Sequence, residues 1–339
     1  SGYHASFSSL CALFNSFLMK KIFHIALVVS ILCSCEVDVS DKFSDQQNLF
    51  VVSGQVIAGE APRINLSRTI TMAEVDTLLY LNDAIMDISL GEDSYIMDPA
   101  GDGFYQNENL IPEAGGELIL YCTGEGLPPA TVSLTIPEYP RVTDIRLQVD
   151  DAYNFTLDVD IEDPAHTMDY YSFYLSGWRK EVIHSYDWET EEETVDTSNV
   201  FRIYDVRIHD LVIEYTGGPR QFEFYDLSEP GGQYFHFSDK LISGSKHTLT
   251  VNDNLRYFYN DSIPEIYVNI IKRDDHYFRF LESYIHYDPY PAQDFLQAVQ
   301  VYSNVDGGFG LLTSESRVVD TLYVSEWYEE LDSLLFLGI

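Results

Sequence analysis

The sequence predicts a mainly β protein: an N-terminal immunoglobulin-like β-sandwich, then a second, larger β-sandwich-like domain with one inserted helix. Three observations predict it. Residues 48–137 hold about seven short runs separated by turn signals, the spacing of a small sandwich. Pro137-Glu-Tyr-Pro140 then interrupts the series, because proline stiffens the chain and cannot donate to a sheet. A second β series follows over 141–325, and within it one window alone, 274–287, has helical spacing.

In the first domain, residues 49–57 are rich in β-branched side chains and end before Gly59. Residues 63–70 and 84–90 alternate apolar with polar, the sign of strands buried on one face. Residues 95–97 and 104–105 flank Asp98-Pro-Ala-Gly-Asp-Gly103, a turn signal. Runs at 117–123 and 131–136 complete the set.

The second series opens with 142–149 and 155–161, the latter strictly alternating. Asp163-Pro164 turns the chain into an aromatic strand over 170–178. Further strands are expected at 201–208, 211–215, 222–225, 234–237, 246–251, 265–272 and 317–325. The acidic run 187–196 reads as a solvated hairpin tip. In the helical window, Asp274 or Asp275 caps the start, where carboxylates suit the positive end of the dipole. Tyr277, Phe280, Leu281, Tyr284 and Ile285 share its apolar face, and Pro289 and Pro291 stop it. Residues 304–310 form a glycine-rich turn, and 326–339 are a C-terminal tail with a weak helix.

Before all of this stands a leader. Lys20 and Lys21 precede an apolar run over 22–32, too short to span a bilayer, which needs roughly 20 residues. Residues 19–34 therefore read as a secretory signal, and 1–18 as upstream over-call before Met19. Leu32-Cys33-Ser34-Cys35 resembles a bacterial lipobox, which makes Cys35 the lipidated N-terminus; Leu32 is too large for Cys33 to be that residue. Residues 36–47 form a polar tether, and Glu36 and Asp38 resemble a signal that sends the protein to the cell surface, with a merely solvated acidic tether as the equal alternative.

The charge excludes several partners. With 55 acidic against 19 basic side chains the chain carries −36, which argues against nucleic acid and against lying on an anionic leaflet. Cys11 and Cys33 fall outside the mature chain and Cys35 is acylated, so Cys122 has no intramolecular partner and packs as a small apolar residue.

No catalytic or metal-ligand set emerges, and no cofactor is expected. Ser243-Gly-Ser-Lys246 fits the S-x-x-K spacing of penicillin-recognising enzymes without their companion motifs. His276 and His286 are ten apart, the wrong spacing for a helical metal pair. Asp98 and Asp102 offer two carboxylates, too few for a calcium loop. The 25 tyrosines and 20 phenylalanines are read chiefly as core and cross-strand pairs, with a sugar- or peptide-binding face as the lesser alternative.

In order, the lipobox, the opening FVVSGQVI and INLS runs, the 274–287 helix and Val301-Tyr-Ser-Asn-Val-Asp-Gly-Gly-Phe-Gly310 resemble the Bacteroidota lipoprotein family catalogued as domain of unknown function 4249. Leu311-Leu312 stands where members often carry an aromatic residue. The resemblance implies an outer-membrane lipoprotein, often encoded beside a TonB-dependent receptor; it supplies no catalytic residue. Asp-Ser/Thr-apolar tripeptides at Thr77, Ser262, Thr321 and Ser333 resemble O-glycosylation sites of exported Bacteroidota proteins. The expected function is non-enzymatic capture or hand-over of a ligand beside a TonB-dependent transporter. The alternatives are an adhesin or surface-structural protein, and a hydrolase with an unrecognised site.

Overall fold

The structure, a computed structural model, describes residues 48–70, 79–149, 154–165, 167–187, 192–217, 233–254, 265–285 and 301–323. The leader, Cys35, the tether, the expected strand at 222–225 and the C-terminal tail lie outside them. What is described is mainly β with a single α-helix.

Nine strands come first: β1 (Phe50–Ile57), β2 (Arg63–Arg68), β3 (Leu79–Tyr80), β4 (Ile85–Leu90), β5 (Asp93–Ile96), β6 (Asp98–Gly101), β7 (Phe104–Gln106), β8 (Glu117–Gly124) and β9 (Leu127–Thr135). Then follow β10 (Arg141–Val149), β11 (Asn154–Glu162), β12 (Tyr170–Asp187), β13 (Glu192–Ile203), β14 (Tyr215–Thr216), β15 (Phe235–Ser238), β16 (Lys246–Asn254), β17 (Glu265–Arg273), helix α1 (Asp275–Ile285) and β18 (Phe309–Tyr323).

One eleven-stranded sheet underlies both halves, in the order β14-β15-β12-β17-β18-β1-β2-β7-β6, with β13 on β12 and β3 on β2. A four-stranded sheet, β5-β4-β8-β9, covers one end, and a three-stranded sheet, β10-β11-β16, covers the other. Each cover buries one alternating face. Leu118, Leu120 and Cys122 of β8 face Val52, Ile64 and Leu66 in the first core. Phe155, Leu157, Val159 and Ile161 of β11 face Phe173, Leu175, Val268 and Ile270 in the second. Fully burying each such aliphatic side chain is worth about 1.5–3 kcal/mol.

β18 joins the two. Its first half runs parallel to β1, Val51 opposite Phe309 through Ile57 opposite Glu315. Its second half runs antiparallel to β17, Arg273 opposite Glu315 through Glu265 opposite Tyr323. Leu311–Ser316 is buried on both faces, as a central strand must be, although four of its six side chains are polar. The strand therefore begins eight residues before the expected 317. Gly310 permits this: its φ is +113°, and a Cβ there would collide with the Val52 carbonyl.

Other boundaries moved for identifiable reasons. The acidic run is largely strand, with Asp187 paired opposite Glu192 and Ile183 opposite Asp196; only 188–191 at its tip lie outside the described residues. The expected strand at 211–215 is instead a turn. Asp210 receives the Val212 N–H on its side chain (3.1 Å) and the Ile213 N–H on its carbonyl (3.3 Å), so only Tyr215–Thr216 pairs. The Asp98–Gly103 turn is narrower than expected: Asp98–Gly101 pairs with β7, and the reversal falls at Asp102 and Gly103, both with positive φ.

The helix forms as the spacing predicts. Asp274 caps it by accepting the Tyr277 N–H at 2.9 Å, and Asp275 pairs with Arg279 one turn on at 2.7 Å. Tyr277, Phe280 and Leu281 are buried, with Phe278 added, and Tyr277, Phe278 and Leu281 pack with Tyr170 and Tyr215.

Candidate ligand cleft

A cleft of about 1340 Å³ opens between the two sandwiches, where the Pro137–Pro140 linker crosses the sheet. One wall is the edge of β8 and β9 with the linker; the other is the 164–171 loop and the junction of β17 with α1. Charges of both signs line it. Arg141, His276 and Arg279 stand with Glu117, Glu138 and Asp275, and Ile119, Tyr139 and Met168 give it exposed apolar surface. Arg279 is partly engaged by Asp275, and His276 Nδ1 lies 2.7 Å from the Tyr302 hydroxyl.

Behind the cleft, β18 holds both walls. Ser316 Oγ lies 2.6 Å from the Pro137 carbonyl and 3.0 Å from that of Glu138. Ser314 Oγ lies 3.0 Å from the Thr135 carbonyl and 3.0 Å from Asp274 Oδ2, which also accepts the Ser314 N–H at 2.5 Å. Burial pushes the Asp274 carboxyl up to about 7, against the lowering effect of the Tyr277 and Ser314 donors. A buried carboxyl titrating near neutrality on a cleft wall is a feature of functional sites; here its bonds also serve as helix cap and strand clamp.

Next to it, Arg273 enters a closed polar chain. Its guanidinium pairs with Glu315, which also takes the Gln55 amide; Nε donates to Ser172 Oγ at 3.1 Å. The guanidinium carbon sits 4.3 Å from the centre of the Tyr277 ring. Burial works against the Arg273 charge, yet Glu315 holds its pKa above the ordinary value. Ser172 Oγ in turn lies 2.8 Å from His236 Nδ1. That is the spacing of a nucleophile and its base. Ser172 is 0% and His236 1% exposed, however, and burial with the adjacent Arg273 charge pushes His236 down to about 3. Enclosed in this way, the pair extends the buried Arg273 chain through Ser172 to His236.

The other sequence candidates are placed singly. Lys246 of the S-x-x-K spacing pairs with Asp160 at 2.8 Å, on the outer face of the three-stranded sheet, so it is committed away from Ser243. Asp102 serves the β6–β7 reversal, its carbonyl taking the Asn65 amide at 2.9 Å. Cys122 is buried in β8, and burial pushes its thiol up to about 12. Thr321 lies half-buried on β18, its N–H bonded to Asp320 Oδ1 at 2.9 Å. Cys35, Thr77, Ser262, Ser333 and His286 lie outside the described residues.

Sequence reasoning missed the cleft because its walls come from segments far apart in the chain. Two signals were present: four consecutive charged residues at Lys272–Asp275, and the polar Thr313–Ser316 inside a strand.

Among the described residues no helix is long and apolar enough to cross a membrane. No curated protein matches the chain. Among solved structures, a chitinase, ChiA74 from Bacillus thuringiensis, is similar at 12% identity and a TM-score of 0.16; the match covers 60% of this chain and 26% of that one. A collagen adhesin (CNA) from S. aureus is similar at 8% identity and a TM-score of 0.17, covering 81% and 95%. Likenesses this low carry no argument about function. A family model described as Domain of unknown function (DUF4249) matches residues 35–319.

Proposed function

The chain belongs to the family described as Domain of unknown function (DUF4249), and from that premise we propose that it is a lipid-anchored accessory protein of the outer membrane. In this reading Cys35 carries the lipid, the protein faces the cell surface, and it captures a ligand for a neighbouring TonB-dependent transporter. The leader and the lipobox support the anchor.

The observation that carries ligand capture is the cleft. At about 1340 Å³ it is roomier than the roughly 300–1,000 Å³ of a drug-sized site, with space for a short peptide, and it mixes fixed charges of both signs with exposed Ile119, Tyr139 and Met168. Such a surface suits a small amphipathic ligand bearing both an acidic and a basic group. The nucleophile–base spacing in the described residues is sealed from solvent, which favours binding over hydrolysis.

The test is affinity capture of the full chain from gently solubilised outer membrane. A large β-barrel should co-purify, and Arg141→Glu with Arg279→Glu should leave that partner in place while abolishing retention of small molecules. Recovery of the protein alone, or Cys35→Ala leaving it membrane-bound, overturns the reading.

A further inference from the structure

The four-stranded sheet ends at β9, and part of that last strand lines the cleft. Along a strand, successive residues turn their N–H and C=O to opposite edges. Ile136 exchanges both groups with Gly115 and Gly116, on the β8 side, at 2.9 and 2.8 Å. Thr131, of opposite parity, exchanges both with Asp306, at 2.9 and 2.8 Å. Ser133 and Thr135 follow Thr131 at the same period, so their main-chain groups point away from β8 as well. Both residues line the cleft.

These groups are incompletely met. The Thr135 carbonyl takes the Ser314 hydroxyl at 3.0 Å. The Ser133 N–H, the Ser133 carbonyl and the Thr135 N–H have no backbone partner among the described residues. An unpaired strand edge is a template for another strand, and folded proteins normally cover or blunt it. Here the opening is bounded. Asp306 closes one end, and Ser314 with the linker, held by Ser316, closes the other. The gap suits a short strand and not the long edge of a second sheet.

We propose that the ligand of the cleft is a short extended peptide with free termini, which lengthens the four-stranded sheet by pairing with Ser133 and Thr135 of β9. The proposal rests on the cleft being the ligand site. Main-chain pairing supplies affinity for many sequences, and pockets for alternate side chains supply preference. Exposed Ile119 stands opposite Ser133 on β8 and offers apolar surface to one such side chain. The charges suit both ends of a peptide. Arg141 and Arg279 fit the terminal carboxylate, and Glu117 and Glu138 fit the terminal ammonium.

The test is selection by the immobilised full chain from an equimolar mixture of tetrapeptides with free termini. Calorimetric titration then uses the most enriched sequence and its N-methyl derivatives. Peptides should be retained. N-methylation at one alternate set of nitrogens, those facing β9, should weaken binding at least about tenfold, while the neighbouring set leaves it unchanged. Ser133→Pro removes an edge donor that β8 does not use, and should weaken binding to a similar degree. The N-methyl pair carries the test if that variant fails to fold. Equal binding by both N-methyl forms overturns the proposal, as does retention of no peptide. If no peptide is retained but other small molecules are, and Arg141→Glu with Arg279→Glu abolishes their retention, ligand capture stands and the strand pairing alone falls.

Discussion

Ser314 and Asp274 are bound twice over: the Ser314 N–H and its hydroxyl both reach Asp274 Oδ2, at 2.5 and 3.0 Å. The same hydroxyl lies 3.0 Å from the Thr135 carbonyl, so one small side chain links the helix cap to the last strand of the first sandwich. Ser314→Ala should cost about 1–3 kcal/mol, because it leaves buried acceptors short of a donor without opening a large cavity. Urea unfolding checks it. Ser316→Ala, which removes the bond to the linker carbonyls, should cost a similar amount, and the two should be non-additive if the walls are held as a unit.

Asp274 and His236 give opposite pH dependences. Burial raises Asp274 to about 7, so the folded state holds its proton more tightly than the unfolded chain does. Its contribution is fully present below the unfolded value near 3.8 and is lost as pH rises to about 7. Asp274→Asn should therefore be most harmful at pH 4 and less harmful at pH 7. Urea midpoints at several pH values read the slope, which is at most about 1.4 kcal/mol per pH unit for one proton.

His236 runs the other way. Burial first, then the Arg273 charge, lower it from 6.5 to about 3, so the unfolded chain binds the extra proton. The stability it supplies is present above pH 6.5 and is lost as pH falls toward 3. His236→Gln should be destabilising at neutral pH, and its deficit should shrink steadily on acidification. A deficit that stays constant from pH 7 to pH 4 would show that His236 titrates normally.

Gly310 should not tolerate a side chain. Its φ of +113° disfavours any L residue, and a Cβ would strike the Val52 carbonyl where β18 pairs with β1. Gly310→Ala is expected to cost about 2–4 kcal/mol or to prevent folding. Gly91→Ala is the control: its φ is also positive, but a Cβ there meets nothing, and it should cost less.

Cys122 should be silent in the native protein. It is buried, and its thiol is raised to about 12 by burial and then by the Asp87 charge. An alkylating reagent at pH 8 should leave the Cys122 peptide unmodified until urea unfolds the chain. Mass spectrometry of digested protein reads the site directly.

Much of the β architecture was legible because each cover sheet has one wet face. Residues 117–123 and 155–161 alternate cleanly for that reason. Of strand β13 only the end, within the expected 201–208 run, was legible, since glutamates and threonines at 192–198 mask the period. Nor was the start of β18, where polar Thr313–Ser316 is buried by bonds rather than by hydrophobicity. The cleft depends on register: only pairing β18 with both β1 and β17 brings Glu315 to Gln55 and Arg273, and Ser314 to Asp274. No local pattern announces such a meeting.

The parallel pairing of β1 with β18 constrains how the molecule is made. A polypeptide emerging amino end first must expose one flank of β1, with its unpaired amides, until β18 has been synthesised. The first sandwich therefore cannot reach its finished form before the whole of the second half has been made. A chain halted or clipped ahead of Phe309 is left with an open edge in each half, a ready target for quality-control proteases or for joining with another such chain.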